Sequence, residues 1–469
     1  MSKQSEGVRS ELWNDPREVV RKAAGREVGV LVDAYGTGNH LPAAFGRHGI
    51  EVIHVQSSPE PIARMQPWDR SSYLDWLVYD PDGSTESALK ELRPRFVLPG
   101  QEPGVRLADR LSEALGVRTN GTEYSAARRD KYRMIEAVSA AGLRTAAQLA
   151  TDDAERAVAW AERHGHWPCV AKPLSSASTD GVFICRDADD LRAAFPDILG
   201  SSTVFNGANT EVLVQSFLQG TEYIVDTVSV DGHPFVCGVW QYEKQLLANG
   251  KPIYNRDILL APDDPAAVVL MDYIRSVLDA LRIHNGPAHS EVIITEDGPA
   301  LVEVGARVNG HLHPAFHDRA IGANSADLTA LAYARPERFL AGYGDGVYTK
   351  RQPAVVYNAP TELAGEVISV NEKLVAEIRA LPSVVDLMVK RKAGDVIVPT
   401  HDLLTSPLRV FLTAPDQATV DADYRFIESV RESLFEVRPL GSTTAAPDGV
   451  AAAAGGRASG GPRVACGVV

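Results

Sequence analysis

The chain has 469 residues, of which 45% are hydrophobic and 23% are charged, and its formal net charge is −14 at pH 7. This length suggests about three domains at roughly 150 residues each, and it allows several buried cores without a disulfide or metal staple. The acidic balance argues against nucleic-acid or anionic-membrane binding, because both need clustered positive charge.

Neither the start of the chain nor its cysteines indicate export or membrane insertion. The first residues are polar and mixed in charge, without the apolar region of a secretory signal. No apolar stretch approaches the roughly 20 residues that cross a bilayer. The cysteines lack the CxxC spacing typical of zinc sites and show no disulfide framework. We therefore expect a cytoplasmic multidomain protein without nucleic-acid or membrane partners, and the sequence is compatible with a homodimer.

Strands and helices are predicted to alternate over residues 25–120, after an N-terminal extension of residues 1–24. The expected elements are strands at 27–33, 50–55 and 96–100, and helices over about 39–48 and through Leu107 and Leu111. This alternation predicts an α/β domain with a parallel, doubly wound sheet.

The turn that follows the first strand, GTGNHL at 36–41, suggests a dinucleotide site. Two features argue against it, since the third glycine is missing and Gln56-Ser57-Ser58 stands where a ribose-binding acid is expected. The alternative is an ordinary turn, with or without an anionic ligand at the helix that follows.

From residue 121 the pattern changes to a helix followed by short β-branched runs. The helix is predicted over 122–142, with Gly142 as the residue that ends it. A second helix is predicted over 266–283, and a mixed α+β segment spans about 350–438. The tail, 441–469, has no aromatic, Leu or Ile side chain, and we expect it to be disordered.

Two apolar strands within residues 289–310 flank Glu296-Asp297-Gly298, which predicts a hairpin with a three-residue loop. In that register Glu291 lies directly opposite Glu303. Opposed carboxylates about 5 Å apart repel each other, and a divalent cation that prefers oxygen ligands, Mg²⁺ or Mn²⁺, relieves the repulsion.

If the chain stays extended beyond this pair, Arg307 and Asn309 continue on the same face of the hairpin. The alternative is an exposed hairpin face with a Glu303–Arg307 ion pair. The core-facing side of the predicted hairpin consists of Val292, Ile294, Ala300, Val302 and Val304.

A second segment has two strands joined by the hydroxyl-rich loop SSASTDG at 175–181, with Lys172 at its entrance. Small residues let backbone N–H groups approach phosphate oxygens, and a lysine adds a point charge. In a third segment Glu222 follows a strand and a Gly-Thr turn. Taken singly, these features are equally compatible with surface hairpins, and Lys131 and Lys244 alone indicate nothing.

The order and spacing of these features resemble the ATP-grasp superfamily, and within it the carboxylate–amine ligases that make dipeptides from unprotected amino acids. The resemblance covers residues 25 to about 438. It rests on Lys131, Lys172 with the SSASTDGV loop, the Val214–Leu218 hinge, Glu222, Tyr242-Glu243-Lys244, the Glu291/Glu303 pair and Gly305-Ala306-Arg307. It implies a Rossmann-like domain at 25–120, an ATP-grasp domain at 121–345 with a lid at about 145–218, and a C-terminal α+β domain at 346–440.

The resemblance also implies a role for each residue. Lys131, Lys172 and Lys244 would contact the phosphates of ATP, under a loop that contains Ser175, Ser176, Ser178, Thr179 and Gly181. Gln215, Ser216, Phe217 and Leu218 would contact the adenine, and Glu222 the ribose. Glu291, Glu303 and Asn309 would hold Mg²⁺ or Mn²⁺. A carboxylate substrate would form an acyl phosphate with release of ADP, an amine would displace the phosphate, and Arg307 would stabilise the oxyanion. Candidate contacts to these small-molecule substrates, which the branch implies are amino acids, are His289, Ser290, Tyr254, Arg256, His311 and His313.

Two departures from the family pattern are visible. The lid loop has only Gly181 where relatives are often richer in glycine. Gly305 stands where many members carry a metal-binding asparagine, so Asn309 would have to replace it. Two other functions stay open at this point, namely an ATP-dependent carboxylase or carbamoylating enzyme and a non-catalytic nucleotide-binding regulator.

Overall fold

The computed structural model describes residues 14–63, 65–175, 181–202, 207–246 and 252–440. The α-helices in these ranges are α1 (Pro16–Ala23), α2 (Leu41–Gly46), α3 (Ser84–Leu92), α4 (Val105–Leu115), α5 (Lys131–Ala140), α6 (Ala154–His164), α7 (Ala188–Leu199), α8 (Pro265–Ala280), α9 (Pro314–Ala320), α10 (Ser325–Ala334), α11 (Pro336–Gly342), α12 (Glu372–Arg379) and α13 (Gln417–Val430).

The strands form four sheets. In chain order they are β1 (Val28–Val32), β2 (Glu51–Gln56), β3 (Asp75–Val78), β4 (Val97–Pro99), β5 (Gln148–Thr151), β6 (Cys169–Pro173), β7 (Phe183–Cys185), β8 (Val212–Ser216), β9 (Thr221–Val230), β10 (His233–Leu246), β11 (Pro252–Leu259), β12 (Gly286–Thr295), β13 (Gly298–Gly305), β14 (Ala354–Ala359), β15 (Gly365–Val370), β16 (Val384–Val389), β17 (Val396–Ile397), β18 (Leu408–Thr413) and β19 (Phe435–Arg438).

The N-terminal sheet has the order β3-β2-β1-β4, and all of its strands are parallel. This confirms the predicted α/β class. The three predicted strands are β1, β2 and β4, and the structure adds β3, which was not expected. Its short run Asp75–Val78 begins with a charged residue, yet Asp75 is 1% exposed and accepts a hydrogen bond from Lys22. The strand order reverses between β1 and β4, so the loops after these two strands border one crevice at their carboxyl ends.

The helix predicted over 122–142 is shorter in the structure, where α5 begins at Lys131. The helix begins after Asp130, because the Asp130 side chain accepts a hydrogen bond from the backbone N–H of Arg133 and so caps its N-terminus. The shorter helix places Lys131 at its first position, next to the central sheet.

An eight-stranded antiparallel sheet in the order β13-β12-β9-β10-β11-β14-β18-β16 forms the centre of the molecule. The helix predicted over 266–283 is α8, whose buried apolar face packs in the largest core. The sheet continues across the boundary expected between residues 345 and 346, since β14, β16 and β18 belong to it. The division into separate domains therefore stays a prediction.

A four-stranded sheet in the order β5-β8-β6-β7 stands beside the central sheet. Its apolar face packs on α6 and α7, with Cys169, Ala171 and Val214 in that core. Strand alternation then turns Lys172 and Gln215 to the opposite face. A three-stranded sheet, β17-β15-β19, packs over the C-terminal core with α12 and α13.

Within the described part of the chain, none of the helices combines the length and apolar character needed to traverse a bilayer. The tail at 441–469, for which we expect disorder, lies outside the described residues.

Candidate active site

The β12–β13 hairpin places Glu291 directly opposite Glu303, which confirms the predicted pair. The route to this register differs from the prediction, because the turn has two residues and Thr295 pairs with Gly298. A β-bulge after Glu291 then shifts the register back by one residue, so the two departures cancel. The bulge also changes the buried set: Val292, Ala300, Leu301 and Val304 are buried, whereas Ile294 and Val302 are partly exposed.

Two lysines surround the Glu303 carboxylate. Lys131 forms an ion pair with Glu303 from the first position of α5. Burial favours the neutral acid, but Lys131 and Lys172 outweigh it and lower the pKa of Glu303 to about 2. Glu303 is therefore an anion at neutral pH, between two cations that come from different elements.

Lys172 is 6% exposed on β6. Burial and the neighbouring Lys131 lower the pKa of Lys172 to about 8, although Glu303, Glu291 and Glu222 oppose the shift. Two adjacent cations near three carboxylates form a site that favours a polyanion accompanied by a cation.

Glu222 is not an ordinary surface glutamate, because it is 5% exposed. Lys244 on β10 approaches its carboxylate to 2.5 Å, and the Tyr254 hydroxyl donates a hydrogen bond of 2.9 Å to it. Burial raises the pKa of Glu222, although Lys244 opposes the shift. The Lys244 side chain is still 38% exposed.

Glu291 is backed by a chain of polar groups. Tyr242 Oη lies 3.5 Å and His289 Nε2 lies 3.6 Å from Glu291 Oε1. His289 Nδ1 lies 2.8 Å from Asp226 Oδ1. Burial opposes the charged imidazole, but Asp226 outweighs it and raises the pKa of His289 to about 9.

Asn309 belongs to this backing network, in contrast to the expectation that it faces the carboxylate pair. Its amide nitrogen donates a 2.6 Å hydrogen bond to Asp226, and its oxygen accepts one of 3.0 Å from the His311 backbone. The expectation assumed an extended chain after Gly305. The structure ends β13 at Gly305, and the Arg307 N–H bonds back to the Gly305 carbonyl oxygen at 2.8 Å. This turn places the Asn309 side chain against Asp226 and the His311 N–H.

Arg307 binds an acid that the sequence analysis missed. Arg307 Nε donates to Glu102 Oε2 at 3.0 Å, and Arg129 Nη1 donates to Glu102 Oε1 at 2.5 Å. Burial opposes ionisation of Glu102, but Arg129 and Arg307 outweigh it and lower the pKa of Glu102. A Cβ atom at Gly305 would lie 2.6 Å from Glu102 Oε2, so the missing side chain at 305 leaves room for this acid. The sequence did contain an indication of this role. Glu102 follows directly after β4, and ligands bind at the carboxyl ends of the strands where the order of a parallel sheet reverses.

The predicted adenine hinge connects β8 to β9. Gln215 is buried and donates to Gln148 at 3.2 Å, whereas Phe217 is 39% exposed. Ser216 Oγ accepts the Ala147 N–H, and Leu218 follows in the same connection. A Cβ atom at Gly220 would lie 2.0 Å from the Ile294 carbonyl oxygen, so the turn into β9 requires glycine.

The loop at 175–181, which was predicted to cover the phosphates, is described only at its ends. Ser175 Oγ accepts a 3.3 Å hydrogen bond from Arg129, and Gly181 has a φ of +70°. Ser176, Ser178 and Thr179 lie outside the described residues.

The candidate substrate residues divide into two groups. His289 and Tyr254 lie at the site. Ser290 does not, because strand alternation turns its side chain to the face of β12 opposite His289 and Glu291, where its buried hydroxyl has no hydrogen-bond partner among the described residues. His311 Nδ1 lies 2.9 Å from Asp257 Oδ2 next to this group. Arg256 and His313 make contacts that stabilise the fold. Arg256 pairs with Glu243 and stacks 4.3 Å from the Tyr424 ring of α13, and His313 caps α9 at 3.3 Å from Asp386.

Comparisons with known proteins agree with this geometry. The ATP-grasp domain pattern matches residues 166–314. Dapdiamide A synthase of Enterobacter agglomerans is 35% identical over 420 residues, which cover 88% of this chain and 97% of that protein. The L-arginine-specific L-amino acid ligase of Bacillus subtilis is 24% identical over 43% of this chain and 48% of its own. The crystal structure of an L-amino acid ligase from Bacillus licheniformis covers 89% of this chain and 99% of its own, with a TM-score of 0.66 and 18% identity.

The fold and the site together define an ATP-dependent enzyme in which two sheets face each other across lysines and carboxylates. Enzymes of this class use ATP with a divalent metal ion. The chain belongs to the ATP-grasp family and is an ATP-dependent carboxylate–amine ligase.

Proposed function

We propose that this ligase joins two amino acids, with ATP activating the carboxylate of one and the amine of the other displacing phosphate. One observation carries the proposal: Lys131, Lys172 and Lys244 lie around three buried or partly buried carboxylates. The names of the relatives, dapdiamide A synthase and L-amino acid ligase, support amino acids as substrates.

The three lysines are assigned to the phosphates of ATP, and the connection at 215–218 is assigned to the adenine. Glu222 is assigned to the ribose, because its buried carboxylate is an acceptor for hydroxyl donors. The lid loop, which contains Ser175, Ser176, Ser178, Thr179 and Gly181, is assigned to covering the triphosphate. Exclusion of water protects an acyl phosphate from hydrolysis.

Glu291 and Glu303 would hold Mg²⁺ or Mn²⁺. Both donor groups are carboxylates, which suit these ions. No group of three or more His, Cys, Asp or Glu side chains among the described residues is arranged to hold a metal. The remaining ligands would then be oxygens of the nucleotide and water. When bound, the ion would neutralise charge on the phosphates.

In the reaction, a carboxylate oxygen of the first amino acid attacks the γ-phosphorus, and the bond to the β-phosphate oxygen breaks to release ADP. The amine of the second amino acid then attacks the acyl carbon, loses a proton and expels phosphate. Arg307 is assigned to the oxyanion of this second step, and the 3.0 Å hydrogen bond from its Nε to Glu102, which orients the guanidinium, supports the assignment. Oriented donors of this kind stabilise charge as it develops.

The test is a screen of amino-acid pairs with the purified protein, ATP and Mg²⁺, in which phosphate, nucleotide products and peptide are measured together. We expect ADP, phosphate and dipeptide in equal amounts, and none of them above background in the Glu303→Gln variant. Substrate-dependent AMP and pyrophosphate would refute the mechanism. ATP consumption that depends on bicarbonate instead of a second amino acid would identify a carboxylase.

A further inference from the structure

Three cations near the carboxyl end of the chain have no ion-pair partner among the described residues. They are Arg409 on β18, and Lys390 and Arg391, which follow β16. All three are partly buried. Their hydrogen bonds go to neutral oxygens and not to carboxylates.

Arg409 is held in a fixed orientation. Its Nε donates to the Asn358 side-chain oxygen at 2.8 Å, and its Nη1 donates to the Gly310 carbonyl oxygen at 3.1 Å. Its other terminal nitrogen, Nη2, has no hydrogen-bond partner in the described ranges. A guanidinium fixed on one side with free donors on the other is suited to a planar carboxylate.

Lys390 and Arg391 follow the strand that pairs with β18, in which Met388 lies opposite Arg409. Lys390 Nζ donates to the Leu403 carbonyl oxygen at 3.3 Å, and Arg391 Nη2 donates to that of Leu404 at 3.1 Å. Burial makes the largest contribution to lowering the pKa of Lys390 well below its usual value, and the charges of Arg409 and Arg391 add to it. The carboxylate of Asp402 opposes the shift. Like charges on or just after paired strands repel one another, so a bound anion would stabilise the cluster.

The cluster borders the active site on the Glu291 side. Gly310, which accepts the Arg409 hydrogen bond, lies in the segment between Arg307 and His311. Burial lowers the pKa of Arg409, and the nearby Asp257 and Tyr242 oppose the shift. Tyr242 is also the residue whose hydroxyl lies 3.5 Å from Glu291.

Other cations at the site are already engaged. Glu102 binds both Arg129 and Arg307, and the three lysines are assigned to the triphosphate. The proposed reaction consumes one carboxylate, that of the first amino acid. The α-carboxylate of the second amino acid is unchanged by the reaction. A side-chain carboxylate on the first amino acid is unchanged as well. These are the anions left without a partner.

We propose that Arg409, with Lys390 and Arg391, binds a substrate carboxylate that survives the reaction. The inference rests on the proposed function. It makes Arg409, on β18, a residue that determines specificity for an anionic group. The two sources of this carboxylate are the α-carboxylate of the amine substrate and a side-chain carboxylate of the acid substrate.

The experiment compares substrates that differ only in this group. The first arm measures kcat/KM for an amino acid as the amine substrate against that for its carboxamide. The second arm compares aspartate and glutamate with asparagine and glutamine as acid substrates. Both arms use the full-length wild type, Arg409→Gln, Arg409→Lys and the matched control Arg425→Gln, which changes an exposed arginine on α13.

In one of the two arms we expect the wild type to prefer the free carboxylate by about tenfold to a hundredfold, the range for a charge-assisted hydrogen bond. Arg409→Gln should bring this ratio close to one, mainly through KM, with an unchanged KM for ATP. Arg409→Lys should retain part of the preference, and Arg425→Gln all of it.

The ratio within one variant is independent of how much of that variant is folded, so partial misfolding does not obscure it. Equal ratios in wild type and Arg409→Gln, or no preference by the wild type in either arm, would overturn the inference while leaving the ligase function intact. A wild type that joins no amino-acid pair would refute the proposed function, and this inference with it.

Discussion

Replacing Arg307 by lysine tests whether the guanidinium acts on the transition state. Arg307 Nε donates to Glu102 at 3.0 Å and its Nη1 donates to the Val308 carbonyl oxygen at 3.0 Å, whereas Nη2 has no hydrogen-bond partner among the described residues. Lysine keeps the charge but loses this planar set of donors. Loss of one donor to a developing oxyanion typically lowers kcat by about 10²–10³, or roughly 2.7–4 kcal/mol.

The structure also sets the expected effect on stability. Glu102 keeps its 2.5 Å contact with Arg129 when Arg307 is shortened, so no buried charge is left without a partner. We expect the free energy of unfolding to fall by about 1–3 kcal/mol, the value for a lost hydrogen bond to a charged group. A buried carboxylate left alone would instead lose about 3–5 kcal/mol.

Phosphate release at saturating substrates gives kcat, and titration with a fluorescent ATP analogue gives nucleotide affinity. Thermal and denaturant unfolding give stability. Arg144→Lys is the control, because Arg144 pairs at 2.9 Å with Asp297 on the exposed surface. If Arg307→Lys abolished nucleotide binding while kcat at saturating ATP stayed intact, the assignment of Arg307 to the oxyanion would be wrong.

Three further predictions concern the Glu291/Glu303 pair, Lys172 and the tail. Glu303→Gln removes one charge of the proposed metal-binding pair, so phosphate release should fall by orders of magnitude and recover partly at high Mg²⁺ or Mn²⁺. A loss that no metal concentration changes would contradict this. Because Lys172 has a pKa of about 8, kcat/KM for ATP should decline above that pH as its positive charge is lost. Lys172→Arg should move the decline to higher pH, and an unmoved profile would assign it to another group. A chain ending at Leu440 should keep its melting temperature and turnover, because residues 441–469 lack core-forming side chains. A large drop in either quantity would show that the tail contributes to the fold.

Local pattern was sufficient for much of the fold and part of the site. The alternation of strands and helices predicted the parallel sheet, and the position of Glu291 and Glu303 around one short turn predicted their pairing. Both depend on residues close together in the chain. The pairing survived an error in loop length because a β-bulge offset it, and the sequence gives no sign of that bulge.

Where local pattern failed, the deciding contact came from another part of the chain. Asn309 was expected at the metal pair, but the turn after Gly305 brings it to Asp226, 83 residues away in sequence. The later start of α5 has a local cause, because Asp130 caps the helix at the Arg133 N–H, but the partner of Lys131, Glu303, comes from a distant strand.

By itself the sequence determined which residue types are present and how neighbouring residues pair, and through the family resemblance it determined the reaction class. Only the tertiary structure decided which charges meet. Glu102 and Arg307 are 205 residues apart, and Arg409 reaches Gly310 from a strand 99 residues further along. Such contacts depend on strand order and on the packing of whole elements, because a charge interacts with whatever the fold brings within a few ångströms and not with its neighbours in sequence.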